Sequence, residues 1–198
     1  FPYTTLFRSN GEISGLTDIA YAVIDSIDTG TRDLQQCADA IIRLQAEYLY
    51  AECKAIGDNF DIIAFHLTNG FLCEYKKWAE GYRVKVEGNK TTWYKAYEKT
   101  DYSYGTFRKY LDFVFNYAGT QSLIKETTPM DICFVAVGDL FIHAGSPGHA
   151  MIIVDAAMSD DDKIFLVAES FMPAQDIHLT PPWHEEVQIL MYLILITP

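Results

Sequence analysis

GDLFIHAGSPGHAMIIVDAA, residues 138–157, sets the core of the fold. Two apolar runs flank Gly145-Ser-Pro-Gly148, a group of turn-forming residues, so the segment reads as strand, turn, strand. His149 opens the second strand, at the point where the chain passes from exposed turn to buried sheet. A third apolar run, 163–169, follows an acidic turn at 158–162. Pairing it with 148–157 as a hairpin sets His149 against the neighbourhood of Glu169 and Ser170. A register change of one residue would bring Ser170 or Gln175 there instead.

Outward from this hairpin, residues 132–143 read as a further strand, and the terminal run QILMYLILIT as another. That last run is too short to span a bilayer, which takes roughly 20 apolar residues. Upstream lie helices. Asp33 is placed as N-cap with Gln36 three residues on, ahead of a helix over roughly 34–55. Its spacing sets Leu34, Cys37, Ile41, Leu44 and Tyr48 on an apolar face, and Asp39, Arg43 and Glu47 on a solvated one. Asn69-Gly70 between β-forming runs predicts a hairpin. A second helix, roughly 106–118, carries Phe107, Tyr110, Leu111, Val114 and Tyr117, and Thr120 caps a short turn through Glu126. The expected architecture is one α+β domain over 10–198, helices packed on an antiparallel sheet. FPYTTLFRS, residues 1–9, has no helix period and no apolar h-region, so it reads as a non-native leader outside the fold rather than a signal peptide.

Composition narrows the function classes. A net charge of −12 repels phosphate backbones and anionic membranes, which argues against nucleic-acid binding. The 13 Tyr and 12 Phe suit a packed core, and equally a groove for peptide or glycan. Four cysteines (Cys37, Cys53, Cys73, Cys133) lie far apart without a CxxC pair, so zinc spacing is absent and the redox state stays open. No phosphate-cradling glycine loop and no GxSxG elbow is present, and no cofactor is expected.

Three residues carry the sharpest chemical expectation. Cys37 falls in the first turn or so of its helix, where unpaired N–H groups and the positive end of the macrodipole favour a thiolate. His149 is the candidate imidazole to activate it, and Glu169 the candidate carboxylate to hold the second ring nitrogen. The competing assignment makes Cys37 a small core residue and Glu169 a surface strand end. His66 reads as a structural histidine in mid-strand. His143 and His149, with Asp139 and Asp155 nearby, lack compact ligand spacing, so no metal is expected. Asp160-Asp161-Asp162 lacks the glycine and closing glutamate of an EF-hand loop.

Five motifs in order resemble the family named domain of unknown function 4846. They are QCADAIIRLQAEYLY (36–50), W-x-x-G (78–81), YLDFVFNYAGTQSL (110–123), GD-x-FI-x-x-GSPGHA-x-I-x-VD (138–155) and SFMPAQDIH (170–178). The likeness covers about 33–180, whereas 184–198 do not match the pattern. It implies an extracytoplasmic protein, secreted or lipid-anchored, of Gram-negative bacteria. More broadly, a cysteine opening a helix followed by GD-[LV]-[FV] and GHA-x-I-[IV]-V resembles the papain-like NlpC and CHAP cell-wall peptidases and amidases. That resemblance implies a papain-like (NlpC-like) fold, with Cys37 as nucleophile, His149 as general base and Glu169 as orienter.

Two functional expectations follow. One is a cysteine hydrolase acting on an amide, such as a cell-wall peptide. The other is a non-catalytic module binding glycan or peptide on Tyr48, Trp78, Tyr82 and Trp93, with Gln175 and His178 lining the cleft. A third, structural reading makes the aromatics core and the cysteines inert.

Overall fold

The turn after His143 and its flanking strands form the centre of an antiparallel sheet. The computed structural model describes residues 5–15, 20–57, 59–146, 148–159, 162–180, 183–184 and 192–196. The first half of the chain contains β1 (Ala22–Val23), α1 (Cys37–Ala55), β2 (Ala64–His66), β3 (Leu72–Glu74), α2 (Tyr75–Ala79), β4 (Tyr82–Glu87) and β5 (Lys90–Lys95). Then come α3 (Tyr104–Tyr117), α4 (Thr120–Glu126), β6 (Thr127–Pro129), β7 (Leu140–His143), β8 (His149–Ser159) and β9 (Asp162–Glu169). Three strands follow, β10 (His178–Leu179), β11 (Trp183–His184) and β12 (Tyr192–Ile196). The main sheet has the order β1-β10-β9-β8-β7-β12-β6, with β11 also on β9. Every pairing in it is antiparallel. The α+β expectation with helices on an antiparallel sheet therefore holds.

The central strands are apolar on both faces because both are covered. Leu140, Ile142 and Ala150 join the helices in the larger core, with Ile41, Ile42, Phe107 and Tyr110. Phe141, Met151, Ile153, Phe165 and Val167 form a second core on the other face, under Met130, Ile132 and Val135. Covering that face takes chain, and 132–139 supply it. They form a 3₁₀ turn at Ile132–Phe134 and a loop, not the strand expected from 132. Burial of both faces had erased the alternation that separates a strand from an apolar loop.

Two further expectations are corrected. Residues 5–9 are part of the fold: Leu6 is fully buried, Phe7 bridges Ile13 and Arg8 bridges Gln175. Helix α1 starts at Cys37, not near residue 34. Gln36 is its extended N-cap, and the Gln36 N–H donates to Asp39 at 3.3 Å. The Asp33 carboxylate, expected to cap, instead accepts from the Ala174 N–H (2.6 Å) and the Gln36 amide (3.1 Å). A partner distant in sequence has taken the capping group. The faces of α1 shift accordingly, with Tyr48 64% exposed and Arg43 1% exposed. Arg43 is buried but fully engaged. It donates to Glu47, the Asp28 carbonyl, the Gln35 side chain and the Tyr104 hydroxyl, and so ties the loop before α1 to α1 and α3.

Other elements follow local sequence. Gly70 takes φ +86° between β2 and β3, which is what the Asn-Gly turn requires. Ser103 caps α3 through the Thr106 N–H, and α3 buries Phe107, Tyr110, Leu111 and Val114. Tyr117, expected in the same stripe, is exposed. β12 gives the terminal run the strand it was expected to form, paired between β7 and β6.

Candidate functional site

Three packing facts place Cys37, His149 and Glu169 together. First, α1 lies on β8 and β9, and Ala40 packs with Ala168 and Ile177 in one buried cluster. Small side chains there let the helix approach the sheet closely. Cys37 is one turn before Ala40 and Glu169 one residue beyond Ala168, so the contact brings helix tip and strand end side by side.

Second, the β8–β9 register sets Ile152 opposite Ala168 and Ile153 opposite Val167. Continued towards the turn, it makes His149 the diagonal neighbour of Glu169. Diagonal positions are roughly 7–8 Å apart, within reach of long side chains. A glutamate spans that gap, and its Oε2 meets His149 Nε2 at 2.5 Å. Third, the loop before His149 is wedged against α4. A Cβ on Gly148 would sit 2.2 Å from Thr120 Oγ1 and 3.0 Å from two backbone carbonyl oxygens. Only glycine lets the chain pass there and turn into β8.

Cys37 and Glu169 both act on the His149 ring, and both raise its pKa. Burial disfavours the charged ring, but the bonds to Cys37 and Glu169 and the attraction of both outweigh it. The imidazole pKa is raised from its ordinary value to about 9. Glu169 is itself buried, at 3% exposure, so its charge acts on the ring with little screening. Phe171 stacks on the His149 ring at 4.9 Å between centroids and 16° between planes. Its ring also stacks on His178 at 5.8 Å. Phe171 escaped the sequence reading, because an aromatic just past a strand end carries no signal of its own.

Cys37 occupies the first helical position, where its N–H and that of Ala38 have no acceptor within the helix. Two residues on, burial pushes the Asp39 carboxyl well above the usual range, against a weaker lowering by the Gln36 N–H. The preceding loop is fastened to the sheet: Ser170 Oγ donates to the Gln35 carbonyl (3.4 Å) and the Gln175 carbonyl (2.9 Å).

The remaining expected residues do not form one cleft. Gln175 and His178 are buried neighbours of the site and not an open wall. The Gln175 side-chain oxygen accepts from Ser14 (2.6 Å), and His178 Nδ1 lies 3.1 Å from the Asp176 carbonyl. Trp78 is buried and lines a cavity with Tyr97, which Tyr82 and Trp93 do not line. Trp93 packs on Phe71, Lys95 lies over the Tyr82 ring, and Tyr48 is exposed on α1. His66 bonds Glu126 through Nδ1 at 2.7 Å, as a structural histidine would. His143 pairs with His149 across the hairpin and is exposed. Asp160 and Asp161 lie outside the described residues. No group of three potential ligands is placed to hold a metal among the described residues. None of the four cysteines is in a disulfide; Cys37, Cys53 and Cys73 are buried and Cys133 is exposed. No helix among the described residues is long and apolar enough to cross a membrane.

Residues 4–190 match a family model described as a domain of unknown function (4846). The match begins inside the segment expected to be a foreign leader and runs past residue 184. No curated protein and no solved structure matches the chain.

Proposed function

We propose that this chain, which belongs to the domain of unknown function 4846 family, is a cysteine hydrolase acting on an amide bond. One observation carries the reading. A cysteine at the first position of α1 acts on a histidine whose Nε2 is held by a buried glutamate. Nucleophile, base and orienter in that succession are the parts of a triad for thiol-based acyl transfer.

In the proposed reaction the Cys37 thiol proton passes to His149, and the sulfur attacks the substrate carbonyl carbon. Backbone N–H groups of the first turn of α1 stabilise the oxyanion. As the C–N bond breaks, the imidazolium gives its proton to the leaving amine, and a thioester remains on Cys37. Water then attacks the thioester carbon with His149 as base, the C–S bond breaks, and the proton returns to sulfur. Glu169 holds the ring in one orientation and stabilises its charged form throughout. Likeness to the NlpC and CHAP enzymes favours a cell-wall peptide outside the cytoplasm as substrate. The alternative, a glycan- or peptide-binding module, has less support because its four aromatic platforms do not share a cleft.

Thiol labelling tests the proposal without a known substrate. In the folded protein at pH 6–7, iodoacetamide is expected to modify Cys37 at least about tenfold faster than the exposed Cys133, because an imidazolium beside sulfur favours the reactive thiolate. His149→Ala should remove the difference. Labelling of Cys37 no faster than Cys133 would overturn the hydrolase reading.

A further inference from the structure

A second feature lies between α2, the start of β4, the segment after β5 and the first turns of α3. It is a cavity of about 450 Å³, and none of Cys37, His149 and Glu169 lines it. Its walls are built and not incidental. The Tyr97 carbonyl sits so close to Gly81 that a Cβ there would lie 2.1 Å from it, and Gly81 takes φ +90°. The Gly81 carbonyl accepts from both the Ala96 and Tyr97 N–H groups at 3.0 Å.

The wall is cationic in an anionic protein. Arg83, Lys99 and Lys109 line it in a chain of net charge −12, and none of the three is in an ion pair among the described residues. The one lining carboxylate, Asp101, accepts from the Thr106 hydroxyl (2.6 Å) and the Ser103 N–H (2.9 Å) and is attracted by Lys99, so the wall holds three cations to one carboxylate. Arg83 is held between two rings, its guanidinium carbon 4.1 Å from the Trp78 centroid and 4.9 Å from that of Tyr97. Its Nη1 donates to the Trp78 carbonyl at 2.9 Å and to the Tyr82 carbonyl at 2.5 Å, and among the described residues Nε and Nη2 have no acceptor. The stacking fixes the plane of a fork with donors to spare. Trp78 Nε1 is also buried and, among the described residues, has no hydrogen-bond partner.

Unpaired cations are costly to gather, and a guanidinium clamped flat with free N–H groups is the geometry that takes two anionic oxygens at once. We propose that this cavity binds an anion bearing carboxylate or phosphate oxygens, held by Arg83 and flanked by Lys99 and Lys109. The site stands apart from the hydrolase reading, since it uses none of the same residues and holds whether or not Cys37 is a nucleophile.

Indole N–H resonances of the ¹⁵N-labelled full chain provide the test, with Trp78→Phe assigning the Trp78 signal. Inorganic phosphate and acetate are titrated separately, each against sodium chloride at matched ionic strength. The expected result is a saturable shift of the Trp78 signal with at least one oxyanion and not with chloride. Which of the two saturates identifies the ligand chemistry. The Lys99→Gln/Lys109→Gln double variant should weaken binding about tenfold or more, since each exposed lysine contributes long-range attraction and neither is packed in the core. Arg83→Lys should abolish saturation while the α3 resonances stay in place. Shifts that match chloride, or that survive the double variant unchanged, would overturn the proposal.

Discussion

Glu169 reaches His149 only because it has one methylene more than aspartate, and that difference is measurable. Glu169→Asp keeps the charge but falls short of Nε2, whereas Glu169→Gln keeps the reach and loses the charge. Both should lower kcat/KM by roughly 10–10³-fold once a substrate is in hand, in the range seen for positioning and charge in general base catalysis. Their pH behaviour should differ. The folded ring titrates at about 9, above its ordinary value, so its charged form stabilises the protein fully below about 6.5. That contribution is lost as pH rises through 9. Alkylation of Cys37 should therefore show an inflection near pH 9, moved downward in Glu169→Gln. An unmoved inflection would disconnect Glu169 from the ring. The approach of His149 to Glu169 was legible in the sequence because a turn and a hairpin register are each local. Phe171 was not, since its stacking depends on how the chain bends after β9. Gln175 and His178 were read as cleft residues from proximity alone, and packing by residues 5–15 encloses Gln175.

Elements fix the angle at which those side chains meet. Gly148 lets the chain pass under Thr120 into β8, so Gly148→Ala should force the loop outward and carry His149 with it. The cost is expected at about 1–3 kcal/mol, as for other overpacked sites, and is read as a fall in the denaturant midpoint. Labelling of Cys37 should drop together with stability, and a variant that labels normally would show that the close approach does not position the histidine. The start of α1 was misplaced by about one turn from sequence. Asp33 has every local mark of an N-cap, yet its carboxylate serves the Ala174 N–H. A cap is chosen by free energy over the whole fold, and no window of sequence contains that competitor. Arg43 makes the same point on the other face: an i, i+4 charge pattern reads as solvated, but four acceptors converge on this guanidinium.

For the whole molecule, the sheet is the frame and the ends of the chain complete it. Leu6 is fully buried although it belongs to a stretch that looks foreign to the domain. Leu6→Ala should cost about 2–5 kcal/mol, and a change under about 0.5 kcal/mol would detach the segment from the fold. Fold class and strand succession were legible because apolar runs and turns recur at short spacing. The order β9-β8-β7-β12 places the last strand beside a central one, a long-range pairing that periodicity does not encode. The helix-to-sheet contact at Ala40 and Ala168 was equally invisible, since alanine marks neither a surface nor a site. One consequence of joining Cys37 to a hairpin more than half the chain away concerns synthesis. The sulfur leaves the ribosome early, at about 5–20 residues per second, while its imidazole is still to be translated. On the hydrolase proposal, a nascent or prematurely ended chain therefore carries an ordinary thiol, and reactivity arrives only with the finished sheet.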